Sequence, residues 1–209
     1  MSEVVLYDYW RSSAAYRVRI VLNLKGVAYC SVPIDLSQGA QGSADYKALN
    51  PQGFVPALAI DGLLLTQSLA IIDYLDANYK DPPMVSSDPA SRSRTLSQAL
   101  IIAADIHPIN NLRVLNYLRR ELGQGEDAVN SWYRHWIAEG LAALETQSPE
   151  HGLFGGAQPN LADVCLVPQL ANARRFDQPL EVYPKLLAID EVLRGLPAFA
   201  AAAPEAVRN

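Results

Sequence analysis

Apolar and polar positions along the first part of the chain predict strands and helices in alternation. Residues 4–7 have the pattern of a short apolar strand, and residues 14–25 have helical spacing that ends at Gly26. Residues 29–34 predict a second strand, and the loop at 37–43 follows it. Because the chain crosses over through the helix, we expect these two strands to be parallel.

The next segment predicts a hairpin and a helix. Residues 57–60 and 63–65 flank Asp61-Gly62, a dipeptide that favours a two-residue hairpin turn. Apolar residues at helical spacing then continue to about Tyr79. Residues 1–81 are therefore predicted to form one domain, a small mixed sheet with helices on its faces.

After a proline-rich linker at 82–89, the pattern predicts helices alone. They cover residues 90–122, 126–147, 161–173 and a last segment near the C-terminus. Pro108 should kink the first of these helices and free backbone groups near His107. Asn160 and Asp163 have the spacing of a capping box at a helix start. The fold class is α/β plus all-α, with the second, all-helical domain at 90–209.

Composition narrows the class of function. The 209 residues carry a net charge of −5, which argues against a nucleic-acid surface and favours a small-molecule partner. No apolar run approaches the roughly 20 residues of a membrane helix, and the start lacks a secretory signal, so a soluble cytoplasmic protein is expected. Cys30 and Cys165 match no metal or redox spacing, and we expect both to be packing residues without a disulfide.

Candidate chemistry lies where the first strand gives way to the first helix. Ser12 and Ser13 stand at that junction, and a helix N-terminus favours anions. A thiolate is such an anion, and a hydroxyl donor beside it lowers the pKa of its thiol. Since no cysteine lies at this position, a thiolate would have to arrive on a cofactor. Taken alone, Ser12 is more typical of a plain N-cap than of a ligand contact.

Two more positions suggest ligand contacts. A cis Val55-Pro56 bond would expose backbone groups of Val55 at a sheet edge, although the rarity of cis bonds favours trans from the residues alone. Ser68 marks a second polar helix start that can hold a carboxylate or serve as a cap.

The helical half contributes a polar cluster and a pair of arginines. His107, Asn110 and Asn111 interrupt an apolar helix, so they should face a cleft, a subunit interface or solvent; a structural role for His107 is equally open. Arg174 and Arg175 come directly after the helix predicted at 161–173. They can complement its dipole or grip a carboxylate through two hydrogen bonds.

Several motifs, in one order along the chain, resemble the glutathione transferases, and in particular the zeta class that includes maleylacetoacetate and maleylpyruvate isomerases. The resemblance covers essentially the whole chain. Its motifs are Tyr-Trp-Arg-Ser-Ser-Ala-Ala-Tyr-Arg-Val-Arg-Ile at 9–20, Asn-Pro-Gln at 50–52, Val-Pro at 55–56, Gln-Ser at 67–68, Asn-Leu-Ala-Asp at 160–163 and Val-Pro-Gln at 167–169.

The resemblance implies a thioredoxin-like N-terminal domain, a helical C-terminal domain, a homodimer, and glutathione bound between the domains. By position, Ser12 would steady the glutathione thiolate, with Ser13 beside it. Val55 would pair with the cysteinyl backbone of glutathione next to a cis Pro56. The γ-glutamyl end of glutathione would be held by Gln67 and Ser68.

The same resemblance assigns the remaining site residues. His107, Asn110 and Asn111 match a stretch that reaches the glutathione of the neighbouring subunit or lines the cleft, and Arg11 and Arg175 match arginines that bind substrate carboxylates. The catalytic residues implied are Arg11, Ser12, Ser13 and Arg175, with no metal.

Two residues depart from the family pattern. Ala14 replaces the usual cysteine of Ser-Ser-Cys, and Leu112 stands where the maleylpyruvate isomerases have a basic residue.

The implied activity is glutathione-dependent cis–trans isomerisation of a maleyl 2-oxo or acetoacetyl acid to its fumaryl isomer, in aromatic or tyrosine catabolism. The first alternative is a transferase that conjugates glutathione to α-haloacids or other small electrophiles. The second is a non-catalytic binding protein of the same fold.

Overall fold

A computed structural model describes residues 3–208 of the chain. Packing divides it into two compact units. Met1–Met84 and Gly195–Asn209 belong to the first unit, and Val85–Arg194 form the second. None of the helices within residues 3–208 has the length and apolar character needed to cross a membrane.

A four-stranded sheet is the centre of the first unit. The strands are β1 (Val5–Asp8), β2 (Cys30–Pro33), β3 (Ala57–Ile60) and β4 (Leu63–Thr66), in the order β2-β1-β3-β4. β1 is parallel to β2 and antiparallel to β3, and β3 is antiparallel to β4. The predicted parallel pair and the predicted hairpin are confirmed.

Helices make up most of the rest of the chain. In chain order they are α1 (Ser13–Leu24), α2 (Ala44–Leu49), α3 (Ser68–Asn78), α4 (Pro89–Leu100), α5 (His107–Ile109), α6 (Leu112–Arg120), α7 (Glu126–Gln147), α8 (Leu161–Arg175), α9 (Pro184–Arg194), α10 (Pro197–Ala202) and α11 (Pro204–Val207). A π-helix, Ile101–Ile106, joins α4 to α5. The predicted loop at 37–43 is largely two single 3₁₀ turns, and α2, capped by Ser43, was not predicted.

The prediction of a single helix at 90–122 is wrong. The chain leaves helical geometry at Asn110 and starts α6 anew, because the Asn111 side chain accepts a hydrogen bond from the Arg113 N–H and caps that helix. Before the break, the wider π-helix lies against α7 at Gly140. A Cβ at Gly140 would come within 2.3 Å of Ile106 Cδ1, so a larger residue here would require the Ile106 side chain to move.

The C-terminal residues group with the first unit, whereas the predicted domain at 90–209 assigns them to the helical one. The reason lies in the contacts between α10 and α1. Phe199 is fully buried, and its backbone oxygen accepts a hydrogen bond from the Tyr16 hydroxyl. Asn23 Nδ2 donates to the Ala198 oxygen at 3.0 Å.

The two cysteines are both free, but their surroundings differ. Cys165 is buried in α8, as predicted for a packing residue. The packing role predicted for Cys30 is wrong, because all four residues of β2 are exposed.

Two ion pairs lie inside the first unit. Arg19, on α1, places Nη1 2.8 Å from both carboxylate oxygens of Asp8, while its Nε donates to the Ala202 oxygen and its Nη2 to the Trp10 oxygen. Lys25, at the end of the same helix, buries its ammonium against Asp76. A guanidinium with donors on several sides can satisfy all these acceptors at once, which makes the burial of Arg19 tolerable.

The predicted capping box of α8 is confirmed. Asn160 Oδ1 accepts from the Ala162 and Asp163 N–H groups, and the Asp163 carboxylate accepts from the N–H groups of Asn160, Phe154 and Gly155. Burial raises the pKa of Asp163 to about 6, against the opposing effect of these three hydrogen bonds.

We expect Arg19→Met to lower the free energy of unfolding by about 3–5 kcal/mol, because it leaves the Asp8 carboxylate buried without its cation. Urea denaturation followed by circular dichroism measures this loss. The matched control is Arg119→Met, which breaks the exposed pair with Glu126 and should cost less than about 1 kcal/mol. Equal losses of unfolding free energy in the two variants would show that the buried ion pair contributes no more to stability than the exposed one.

Candidate active site

The turn between β1 and α1 places Ser12 at the N-cap of the helix. Its backbone is extended, with φ −69° and ψ 117°, and its Oγ accepts a hydrogen bond from the Ala15 N–H at 3.2 Å. Ser13 is the first residue of α1 and is buried. The cap uses one lone pair of the Ser12 oxygen and leaves its O–H available to donate. Capping a helix and donating to an anion are therefore compatible roles for Ser12.

Aromatic rings support the arginine that precedes this cap. Arg11 Nη2 donates to the Tyr9 hydroxyl at 3.1 Å, and the guanidinium carbon lies 4.9 Å from the centre of the Trp10 ring. The Arg11 side chain is exposed. Contact with a ring face orients a guanidinium without neutralising its charge.

The Val55-Pro56 peptide bond is cis, as the resemblance implied and against the trans form that the residues alone favoured. Val55 and Pro56 are both buried just before β3. Gly53, close by, has φ +64°, and a Cβ there would come within 2.8 Å of the Gln41 oxygen. This segment therefore depends on glycine for both its conformation and its close approach to the loop.

Gln67 and Ser68 stand at the start of α3. Gln67 has a φ of +67°, unusual for a residue with a side chain, and its Nε2 donates to Gln52 Oε1 at 2.8 Å. Ser68 is buried, and its Oγ accepts from Arg17 Nη1 at 3.4 Å. The second polar helix start thus contacts α1 through Arg17. A strained backbone of this kind is typical of ligand contacts.

The polar cluster predicted around His107 separates into different roles. His107 is half-buried in α5. Asn110 is buried and donates from Nδ2 to the Tyr133 oxygen at 3.1 Å, while its Oδ1 has no hydrogen-bond partner within residues 3–208. Asn111 caps α6 with its side-chain oxygen. Asn110 is therefore the member of the cluster with an acceptor to spare.

The two arginines at the end of α8 also differ. Arg174 contacts the buried Asp190 carboxylate at 2.5 Å, so its charge serves the structure. Arg175 is exposed, its guanidinium carbon lies 5.2 Å from the centre of the Phe176 ring, and its side chain lies beside the Tyr133 phenol, where its charge opposes the rise in the pKa of Tyr133. Of the pair, Arg175 is the better placed to bind an anion.

Within each unit the structure brings some of the predicted residues together. In the first unit, Arg11, Ser12 and Ser13 share one turn. In the second, Asn110 and Arg175 contact the same residue, Tyr133, whereas Asn111 contacts the backbone of α6.

Sequence reasoning missed several supporting residues, namely Arg17, Gln52 and Tyr133. Arg17 and Gln52 lie in the motifs at 9–20 and 50–52 that carry the resemblance, but neither was assigned a role, and Tyr133 carried no signal. No group of three or more His, Cys, Asp or Glu side chains within the described residues could hold a metal ion.

Two family models match the chain. Residues 2–77 match the glutathione S-transferase N-terminal domain, and residues 127–201 match the glutathione S-transferase C-terminal domain. The maleylacetoacetate isomerase of Rhizobium meliloti is 48% identical over 207 residues, which cover 98% of this chain and 97% of that protein.

Solved structures agree in fold over the whole chain. A maleyl pyruvate isomerase, described as a bacterial glutathione S-transferase in zeta class, has a TM-score of 0.95 and 42% identity, covering 98% of this chain and 99% of that one. A maleylacetoacetate isomerase from Methylobacterium extorquens AM1, with bound malonate and glutathione, has a TM-score of 0.92 and 38% identity, at 97% coverage of each chain. The chain belongs to the glutathione S-transferase family, in its zeta class.

Proposed function

We propose that the protein is a glutathione-dependent cis–trans isomerase that converts a maleyl 2-oxo acid, maleylacetoacetate or maleylpyruvate, to its fumaryl isomer. The observation that carries the proposal is the turn at Ser12, which offers a hydroxyl donor and a helix N-terminus to an anion. Relatives of this chain with the same fold are isomerases of these two substrates.

The chain's own thiols are poorly suited to the chemistry. A hydrogen bond with Glu3 raises the pKa of the Cys30 thiol, and Cys165 is buried in α8. Neither residue lies at the Ser12 turn. A thiolate at that turn therefore has to come from a bound molecule.

The residues of the first unit fit glutathione. The Asp8 carboxylate, close to the turn in sequence, is paired with Arg19, so its negative charge does not oppose a thiolate. Ser12 donates to the sulfur, Val55 pairs with the cysteinyl backbone, and Gln67 and Ser68 hold the γ-glutamyl end. Bound glutathione would supply a thiolate that adds to the cis double bond and moves its π electrons onto the substrate's carbonyl group. The remaining single bond could then rotate, and loss of the thiolate would re-form the double bond as trans.

Two arginines are assigned to the substrate. Arg175 binds a carboxylate, for which a planar guanidinium offers two parallel hydrogen bonds. Arg11 stabilises the negative charge that develops on the substrate when the double bond is attacked. In the second unit, Asn110 has an unused acceptor, and we assign it with His107 and Asn111 to glutathione contacts.

The first experiment follows the ultraviolet absorbance of maleylpyruvate and, separately, maleylacetoacetate, with and without glutathione, while free thiol is measured in parallel. We expect isomerisation that requires glutathione and leaves the amount of free thiol constant, and the relative rates rank the two substrates. Loss of thiol with an α-haloacid, without isomerisation, would instead identify a conjugating transferase. Absence of both reactions would favour a non-catalytic protein.

Ser12→Ala tests the thiolate donor. Loss of one hydrogen bond to a charged sulfur should lower kcat by roughly 10- to 100-fold and raise the pKa seen in the pH–rate profile. Ser12→Thr keeps both the hydroxyl and the cap and should retain most of the activity. Undiminished activity of Ser12→Ala would remove Ser12 from the mechanism.

The proposal includes a homodimer, and an exposed groove along α4 and the π-helix supports it. Leu96, Leu100 and Ile101 line the groove, with Arg92 towards one end and Asp105 towards the other. In an antiparallel pair centred between Gln98 and Ala99, Leu96 would face the partner's Ile101, and Arg92 would face the partner's Asp105. This self-complementarity is what a twofold interface requires.

Charge reversal tests this dimer surface. Arg92→Asp and Asp105→Arg, each alone, place like charges together and should raise the dimer dissociation constant at least about tenfold. The double variant restores the complementary charges and should restore the dimer. Analytical ultracentrifugation at low salt measures the dissociation constants, with Arg134→Asp on α7, also exposed, as the control. Dimers unaffected by either single change would place the interface elsewhere.

A further inference from the structure

Tyr133, on α7, joins two of the assigned site residues in the second unit. Its side chain is buried, its hydroxyl donates to Asn172 Oδ1 at 2.9 Å, and its backbone oxygen accepts from Asn110 Nδ2. The Arg175 side chain lies beside the same phenol. None of these contacts was expected from the sequence, in which Tyr133 has the pattern of an ordinary core residue.

The hydrogen bonds of the phenol have a fixed direction. A phenol has one proton, and here that proton goes to Asn172. Arginine only donates, so Arg175 meets a lone pair of the phenol oxygen. Burial raises the pKa of Tyr133, against the opposing effects of Asn172 and Arg175, which keeps the phenol neutral. The guanidinium is therefore held without losing its charge.

Phe176 supports the same guanidinium from another side. Its ring stacks on the Tyr133 ring, with 3.6 Å between ring centres and 15° between planes. The Arg175 guanidinium carbon lies 5.2 Å from the centre of the Phe176 ring. A phenol oxygen and a ring face thus both lie against the Arg175 guanidinium and restrict its orientation.

We propose that Tyr133 and Phe176 are positioning residues that hold the Arg175 guanidinium ready for a carboxylate of the substrate. This inference rests on the proposed function, because it takes the substrate to be a carboxylate. A free arginine side chain loses rotamer freedom when it binds an anion, and prior anchoring removes part of that cost. If Tyr133 and Phe176 anchor Arg175, the protein should therefore bind the dianionic substrate more tightly than it does when that anchoring is removed.

Tyr133→Phe removes the phenol oxygen and keeps the ring that stacks on Phe176. We expect KM for the maleyl acid to rise roughly three- to tenfold, with kcat and KM for glutathione nearly unchanged. The matched control is Tyr183→Phe, which removes another buried phenol of the same unit, one that donates to the Ala138 oxygen. Its KM should stay at the wild-type value, although its stability falls similarly.

A double-mutant cycle separates positioning from general damage. Arg175→Gln removes the guanidinium and should raise KM for the maleyl acid more than KM for glutathione. If Tyr133 acts through Arg175, Tyr133→Phe has no further effect on KM in the Arg175→Gln protein. Additive effects of the two changes would overturn the inference.

Malonate binding to the glutathione-saturated protein, measured by calorimetry, tests the inference without turnover. Wild-type protein should bind malonate, and Tyr133→Phe should bind it roughly three- to tenfold more weakly. No binding by wild type, or equal binding by wild type, Tyr133→Phe and Arg175→Gln, would overturn the assignment of Tyr133. If wild-type protein binds malonate more tightly than Tyr133→Phe and Arg175→Gln but does not isomerise maleyl acids, the proposed function is overturned and the anchoring of Arg175 by Tyr133 stands.

Discussion

The buried contact between Arg19 and Asp8 is the constraint on which the first unit depends. One guanidinium on α1 joins the segment from Asp8 to Trp10, at the end of β1, to the end of α10, which lies far away along the chain. The turn that carries Ser12 lies between the residues it joins. Fixing both sides of that turn fixes the direction of the α1 N-terminus, on which any stabilisation of an anion depends.

The hydroxyl groups of Ser12 and Tyr133 divide their hydrogen-bonding capacity in a similar way. Each hydroxyl is held by one protein contact and keeps the opposite hydrogen-bonding function for another group: Ser12 accepts from the Ala15 N–H and retains a donor, whereas Tyr133 donates to Asn172 and retains an acceptor. At Ser12, a hydroxyl held in this way needs little reorganisation when an anion binds, and at Tyr133 the second group is the Arg175 side chain. The structural contact thus prepares the functional one.

Local features of the structure could be predicted from the sequence, and long-range ones could not. The Asp61-Gly62 hairpin and the capping box at Asn160 depend on residues close together in the chain, so their patterns were sufficient. Arg19 contacts the Ala202 oxygen 183 positions away, and no local pattern records such a contact. A kink at Pro108 was predicted, but the sequence did not predict that the helix ends before Asn110 and that a new helix begins with Asn111 as its cap. In the site, the serines and arginines carried signals, but Tyr133 looked like any core aromatic.

The role of each of these arginines depends on the groups beside it. Arg19 and Arg174 contact the buried carboxylates of Asp8 and Asp190, where their charge balances a charge of the protein itself. Arg11 and Arg175 are exposed and contact aromatic rings, which orient a guanidinium but carry no net charge to cancel it. A chain with a net charge of −5 repels a dianion at long range, so attraction has to be local. Aromatic support is a physical means of keeping such local positive charge ordered.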